Sequence, residues 1–381
     1  MNQLILSSKN NYLDLKEYLS KNSINNIFVV CFEFSVKPNI IKELESLNIK
    51  ITYFFDFKPN PTYESVCAGI KEFHKSGSNF ILAIGGGSAI DVAKSIKLYA
   101  NMNEKLNYLK QEIVLNDIVL MAVPTTAGTG SEATRYAVIY YENEKQSITH
   151  ESIIPSVVLM DSSLLETLPN YQKKATLMDA FSHSIESYWS VNSTEESKEY
   201  SKKAISIILK NMKDYLNDKK EVYEEMLMAS NYAGKAINIT QTTAGHAMCY
   251  KLTSLYNIAH GHAAILINSV LLPFMLDNIY KCSDFRGKDY LVETFKELGK
   301  ILNCQNNTEL KNYLKKLLKD LDLYNINMNL NDIDLLTNSV NETRLKNNPI
   351  SLTKEDIKII YLDLYNEVKA RIEKNGSKKI C

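Results

Sequence analysis

Two kinds of hydrophobic spacing divide this chain. Through about residue 165, short apolar runs rich in β-branched residues alternate with amphipathic stretches of helical period. "NNIFVVCF", "IKITYFF", "NFILAIGG" and "DIVLMAVP" read as strands, and "NIIKELESLN", "TYESVCAGIKEFHKSG" and "SAIDVAKSIKLYANM" as helices. Such alternation builds βαβ units, hence a largely parallel sheet wound by right-handed crossovers.

From "LPNYQKKATLMDAFSHSIESYWS" onward the period changes. "KEYSKKAISIILKNMKDYL", "EVYEEMLMASNYAGKAI", "FRGKDYLVETFKELGKIL", "TELKNYLKKLLKDL" and "KEDIKIIYLDLYNEVKARI" repeat their apolar positions every three to four residues, with few strand candidates between them. The pattern predicts an α/β domain over residues 1–168 and an all-helical domain over 169–381, joined near "ETLPNYQ". A cleft between the two is the expected place for a site.

At 381 residues the chain is long enough for two such cores. Its 44 basic and 44 acidic residues balance, so no net field draws nucleic acid or an anionic membrane. No apolar run reaches the roughly 18 residues of a membrane helix, and the first residues lack a signal-peptide pattern. Cys31, Cys67, Cys249, Cys282, Cys304 and Cys381 are scattered without a CxxC pair and read as reduced thiols of a cytoplasmic protein.

Two strand ends carry candidate chemistry. "FILAIGGGSAIDVAK" passes from a strand through Gly85, Gly86 and Gly87 to Ser88 and a helix, where glycines admit an anion to the N–H groups of a helix start. The spacing is not GxGxxG, and a tight turn capped by Ser88 fits the same residues. "VLMAVPTTAGTGSEAT" adds Thr125, Thr126, Gly128, Thr129, Gly130 and Ser131 at a second strand end, and two such loops suggest a dinucleotide. Glu33, after the strand "FVVCF", suits a ribose diol and repels a 2′-phosphate, which favours NAD over NADP; an ordinary surface glutamate is the other reading.

Asp179 and His183 are spaced i, i+4, on one helix face and within reach of a single ion, as an ordinary surface ion pair also is. His246 and His260 sit in apolar segments, where a buried imidazole needs either a core hydrogen bond or a metal. One carboxylate and three imidazoles suit Fe²⁺ or Zn²⁺ with a position left for substrate. Of the other histidines, His74 and His150 read as solvated and His262 as a packed residue at a helix start.

In their order, "GGGSAIDVAK", "PTTAGTGSE", "MDAFSHSIES" and "GHAMCYKLTSLYNIAHGHA" resemble the iron-containing (group III) alcohol dehydrogenases, whose dehydroquinate synthase-like fold is shared by glycerol dehydrogenases. The resemblance extends over nearly the whole chain. It implies an N-terminal α/β dinucleotide-binding domain, an all-α C-terminal metal-binding domain, and a homodimer or higher oligomer acting on a small aldehyde or alcohol. It also implies Fe²⁺ on Asp179, His183, His246 and His260, and NAD(H) on Gly86, Gly87, Ser88, Thr125, Thr126, Thr129 and Lys145, with Glu33 at a position often acidic in NAD-preferring members. Members often carry a proton-relaying histidine four residues after the third ligand; Tyr250 stands there, as a replacement relay or as packing.

More finely, "SIESYWSVNSTEESKEY" and "KAINITQTTAGHAMCYKLT" look most like the branch reducing phosphonoacetaldehyde to 2-hydroxyethylphosphonate. A dianionic substrate needs cations, for which Arg135 and Lys251 are candidates beside their reading as surface charges. The alternatives are a general short-chain alcohol or butanol dehydrogenase, a dehydroquinate synthase-like lyase recycling its NAD, and a degenerate nucleotide-binding protein, which would have lost ligand residues.

Overall fold

A computed structural model describes residues 3–142 and 144–378, the segment from 372 by backbone alone; Cys381 lies outside the described residues. Two compact units emerge, one of residues 1–168 with 217–234, the other of 169–216 with 235–381.

The first unit is built on a six-stranded parallel sheet in the order β1-β8-β5-β4-β2-β3. Its strands are β1 (Leu4–Ser7), β2 (Asn26–Cys31), β3 (Lys50–Phe54), β4 (Phe80–Gly85), β5 (Val119–Pro124) and β8 (Val157–Met160), while β6 (Tyr136–Tyr141) and β7 (Glu144–Thr149) form an antiparallel hairpin. Helices α1 (Lys9–Lys21), α2 (Asn39–Ser46), α3 (Tyr63–Ser76) and α4 (Gly87–Tyr99) connect them. β2 and β4 are buried along nearly their whole length because both sheet faces are covered. Phe28 and Val30 feed one core, with Ile70 and Ile96, and Ile27, Val29 and Cys31 the other, with Leu15 and Leu44, the period-2 alternation of a strand packed on both sides.

Strands β2, β3, β4 and β5 and helices α2, α3 and α4 stand where the apolar spacing puts them. β1 and β8 escape it because each is only four residues long, and β7 because its residues are mostly polar and half-exposed. Residues 217–234 also leave the simple two-block division, because they pack onto the first unit. There Gly234 lies so close to Gly130 that a Cβ on it would meet the Gly130 carbonyl oxygen at 2.4 Å, and Asn231 hydrogen-bonds to Gln3.

The second unit comprises α5 (Asn170–Trp189), α6 (Glu195–Leu216), α8 (Ala244–Tyr256), α9 (His260–Asp277), α10 (Lys288–Ile301), α11 (Asn307–Asp320), α12 (Ile333–Asn338) and α13 (Lys354–Lys378), with α7 (Tyr223–Thr240) leading in from the first. α9 is apolar on all sides, buried without a break from Gly261 to Leu272, and packs against α5, α8, α11 and α13. Among the described residues no helix is long and apolar enough to cross a membrane, and no disulfide joins the cysteines.

Candidate functional site

In the first unit the two strand-end loops meet. β4 ends at Gly85, Gly86 precedes α4, and Gly87 and Ser88 open it, so the first amides of a buried helix face the loop after β5. A Cβ on Gly86 would lie 3.5 Å from Thr126 Cγ2, and one on Gly87 3.3 Å from Thr129 Cγ2; the Thr125 amide donates to the Gly85 carbonyl at 3.1 Å. Glycine backbone and threonine hydroxyls thus share one surface at a helix N-terminus, which fits a dinucleotide pyrophosphate.

Two groups that the sequence reading passes over, buried Lys94 and partly buried Asp91, hold this surface together. Lys94 Nζ donates to the carbonyls of Ser131, Thr134 and Tyr136 at 2.5, 2.7 and 2.8 Å, while Asp91 accepts from Ser131 Oγ at 2.8 Å and the Val138 amide at 3.1 Å. Burial pulls the Lys94 ammonium down to about 8 against the opposing pull of Asp91 and Glu132. Their signal was an Asp and a Lys three apart in a helix that is buried along most of its length. Burial raises the Asp91 carboxyl against the opposing pull of Lys94 and, more weakly, of Lys145 on β7, and Glu33 is exposed two residues beyond β2.

The second unit gathers the ligand candidates. Asp179 and His183 project from the middle of α5, His246 from the first turn of α8, and His260 opens α9. Ligand atoms of Asp179, His246 and His260 all lie within 4.8 Å of one another. His183 stands beside them, Nε2 3.9 Å from Asp179 Oδ1 and its ring stacked on His246 at 4.5 Å between centres. Burial alone would raise the Asp179 carboxyl, but the surrounding imidazoles outweigh it and hold the group far below its usual range.

Glu186, one turn beyond His183, is the residue that sequence reasoning missed here. Its Oε1 accepts from His246 Nδ1 at 2.6 Å and Asn268 Nδ2 at 2.8 Å, and its Oε2 from the Thr243 amide at 2.7 Å and hydroxyl at 2.9 Å. That bond fixes the proton on Nδ1 and turns Nε2 toward Asp179 Oδ1, 3.4 Å away, the arrangement of a metal-ligating histidine. Burial opposes ionisation of Glu186, yet His246 brings it down to about 2, and Glu186 in turn carries the buried His246 up to about 9.

Two glycines permit the approach. A Cβ on Gly245 would meet Glu186 Oε1 at 2.5 Å, and one on Gly261 would meet the Ala175 carbonyl oxygen at 2.2 Å and Asp179 Cβ at 2.5 Å. A buried carboxylate among imidazole nitrogens, with a second carboxylate orienting one ring, is a donor set that fits a divalent transition ion.

Tyr250 stacks on His260 at 5.4 Å between ring centres, and its hydroxyl accepts from Arg344 Nη1 at 2.8 Å; burial keeps that hydroxyl protonated, with Arg344 pulling the other way. Lys251 follows on α8, partly exposed. Arg135 is ion-paired with Glu151. His262 belongs to the core, its Nε2 donating to the Leu323 carbonyl at 2.6 Å and its Nδ1 facing the Tyr171 hydroxyl at 3.1 Å. His74 Nε2 donates to the Ala100 carbonyl, and His150 caps a short turn.

The sequence pattern of iron-containing alcohol dehydrogenases matches residues 2–162, and that of the C-terminal part of the Fe-containing alcohol dehydrogenase family matches 173–365. The chain belongs to the iron-containing alcohol dehydrogenase family. Membership makes it an oxidoreductase of alcohols and aldehydes and implies a metal and NAD(H). The probable alcohol dehydrogenase EutG of Escherichia coli is 32% identical over 256 residues, 65% of this chain and 62% of its own length. The NADPH-dependent butanol dehydrogenase of Clostridium saccharobutylicum is 28% identical over 87% of this chain and 88% of its own. The iron-containing alcohol dehydrogenase of Thermotoga maritima superposes with a TM-score of 0.80 at 25% identity, covering 96% of this chain and 98% of its own.

Proposed function

We propose that this protein is a metal-dependent, NAD(H)-linked reductase that converts phosphonoacetaldehyde to 2-hydroxyethylphosphonate. The observation that carries the chemistry is the buried meeting of Asp179 with His246 and His260, beside His183. When bound, Fe²⁺, or Zn²⁺ on the same ligands, supplies Lewis acidity to the carbonyl and the nicotinamide supplies hydride.

The chain supplies the rest. Glu186 holds the His246 ring so that Nε2 faces the cluster. Gly86, Gly87 and Ser88 offer helix-start amides to the pyrophosphate, with Thr125, Thr126 and Thr129 across from them and Lys145 close to α4. Glu33 disfavours a 2′-phosphate, so NADH is preferred. The Tyr250 hydroxyl, next to His260, relays the proton that completes the alcohol.

Two things support the phosphonate reading: the likeness of residues 184–200 and 235–253 to phosphonoacetaldehyde-reducing proteins, and the cation Lys251 on α8, the helix that carries His246. Arg135 is a weaker candidate because Glu151 already neutralises it. The extended similarity to a butanol dehydrogenase favours a second reading, a short-chain alcohol dehydrogenase.

The test is kcat/KM of the anaerobically Fe²⁺-loaded enzyme with NADH, for phosphonoacetaldehyde and butanal side by side. A phosphonate preference of ~10²-fold or more, about 2.7 kcal/mol, is expected. Equal or reversed preference would return the substrate to simple aldehydes and leave the metal and hydride chemistry in place.

A further inference from the structure

Of the four arginines in the chain, three have a carboxylate partner: Arg135 with Glu151, Arg286 with Asp284 and Arg371 with Glu367. Arg344 has none among the described residues. It lies in the turn Glu342–Asn347, which packs against α8, and it is half-buried. Its Nη1 donates to the Tyr250 hydroxyl at 2.8 Å, and its guanidinium carbon stands 4.9 Å from the Tyr250 ring centre. The same ring stacks on His260 at 5.4 Å with 25° between planes. One aromatic side chain therefore separates an uncompensated guanidinium from a residue of the ligand cluster.

Withdrawing a guanidinium from water without a counter-charge is costly, so a cation kept in this state is poised for an anion that comes and goes. The tyrosine uses one N–H and a face of the group. The remaining N–H donors keep the planar fork that matches two oxygens of a phosphonate, sulfonate or carboxylate. In a two-carbon aldehyde, carbonyl oxygen and anionic head are only roughly 4–5 Å apart. A substrate reduced at the cluster must thus place its charge close by, and Tyr250 fixes Arg344 in that neighbourhood.

We propose that Arg344 is the anion-recognising residue of the metal-bearing unit, taking the charged head of a short anionic aldehyde while Tyr250 orients its guanidinium. This deepens the reading of the substrate above and rests on the same metal and hydride chemistry.

The experiment uses the Fe²⁺-loaded full chain, with Arg344→Met to remove the charge at similar length and Arg344→Lys to keep it without the fork. Kinetics with NADH cover phosphonoacetaldehyde, sulfoacetaldehyde, succinic semialdehyde and uncharged butanal; calorimetry measures binding of 2-hydroxyethylphosphonate without turnover. For the best anionic aldehyde, its kcat/KM ratio to butanal should fall ~10²-fold or more in Arg344→Met, chiefly through KM, and 2-hydroxyethylphosphonate should bind correspondingly more weakly. Arg344→Lys should lie between, and carries the test if the methionine variant does not fold. An unchanged ratio, or an equal loss on charged and uncharged aldehydes, overturns the assignment and leaves Arg344 as a support for Tyr250. A wild type that prefers butanal to every anion also overturns it. A wild type that prefers the sulfonate or carboxylate, with the preference erased in Arg344→Met, upholds Arg344 and defeats the phosphonate reading alone.

Discussion

At His246 the two ring nitrogens have different tasks: Nδ1 donates to Glu186 and Nε2 faces Asp179. Glu186→Gln preserves the shape but removes the charge that favours this orientation, and it puts an amide donor within reach of Nδ1–H. Fe²⁺ affinity should fall about 10- to 100-fold in an anaerobic titration against a competing chelator. Affinity within threefold of the wild type would reduce Glu186 to a packing residue. Asp179 and His183 were legible in the sequence because i, i+4 spacing on a helix is itself a distance. Glu186 stands in the same "DAFSHSIE" string, yet its role was hidden because its partner is brought by another helix. Arg344 was hidden for the same reason, as nothing local links a turn near the C-terminus to Tyr250.

Among elements, the packing of α9 on α5 positions the candidate ligands, and at Gly261 it leaves no room for a side chain. A methyl group there collides with backbone at Ala175 and with Asp179 itself, so α9 must shift. Gly261→Ala should therefore cost about 1–3 kcal/mol of stability and lower the iron bound per chain, read by thermal unfolding and metal analysis. Gly299 in α10 is the control, because a Cβ there meets only Leu310 Cδ2 at an ordinary 3.7 Å. Gly299→Ala should be neutral or stabilise by up to ~1 kcal/mol, the ordinary helix preference for alanine. Full iron occupancy in Gly261→Ala would show that the cluster does not depend on this contact. In the first unit Lys94 and Asp91 do similar work, binding α4 to the loop after β5 so that Thr126 and Thr129 lie over Gly86 and Gly87.

For the molecule as a whole, the ion should act as a cross-link of the native state. The proposed ligands come from α5, α8 and α9, which the unfolded chain does not hold together. Fe²⁺ free at about 100 times its Kd should add about 2.7 kcal/mol of stability, seen as a rise in Tm over chelator-treated protein. A Tm indifferent to iron and chelator would argue against a site built from these residues.

The sequence by itself determined the βαβ character of the first unit, the helices of the second, the two loops of glycine and threonine, and the aspartate and three histidines. Each is written in short-range periodicity, in residue chemistry or in the order of motifs, and those survive without coordinates. Only the tertiary structure decided that residues 217–234 join the first unit, that Glu186 orients His246, and that Arg344, alone among the arginines, has no carboxylate partner among the described residues. These are facts about which distant side chains meet, and such meetings are fixed by close packing between elements rather than by spacing along the chain.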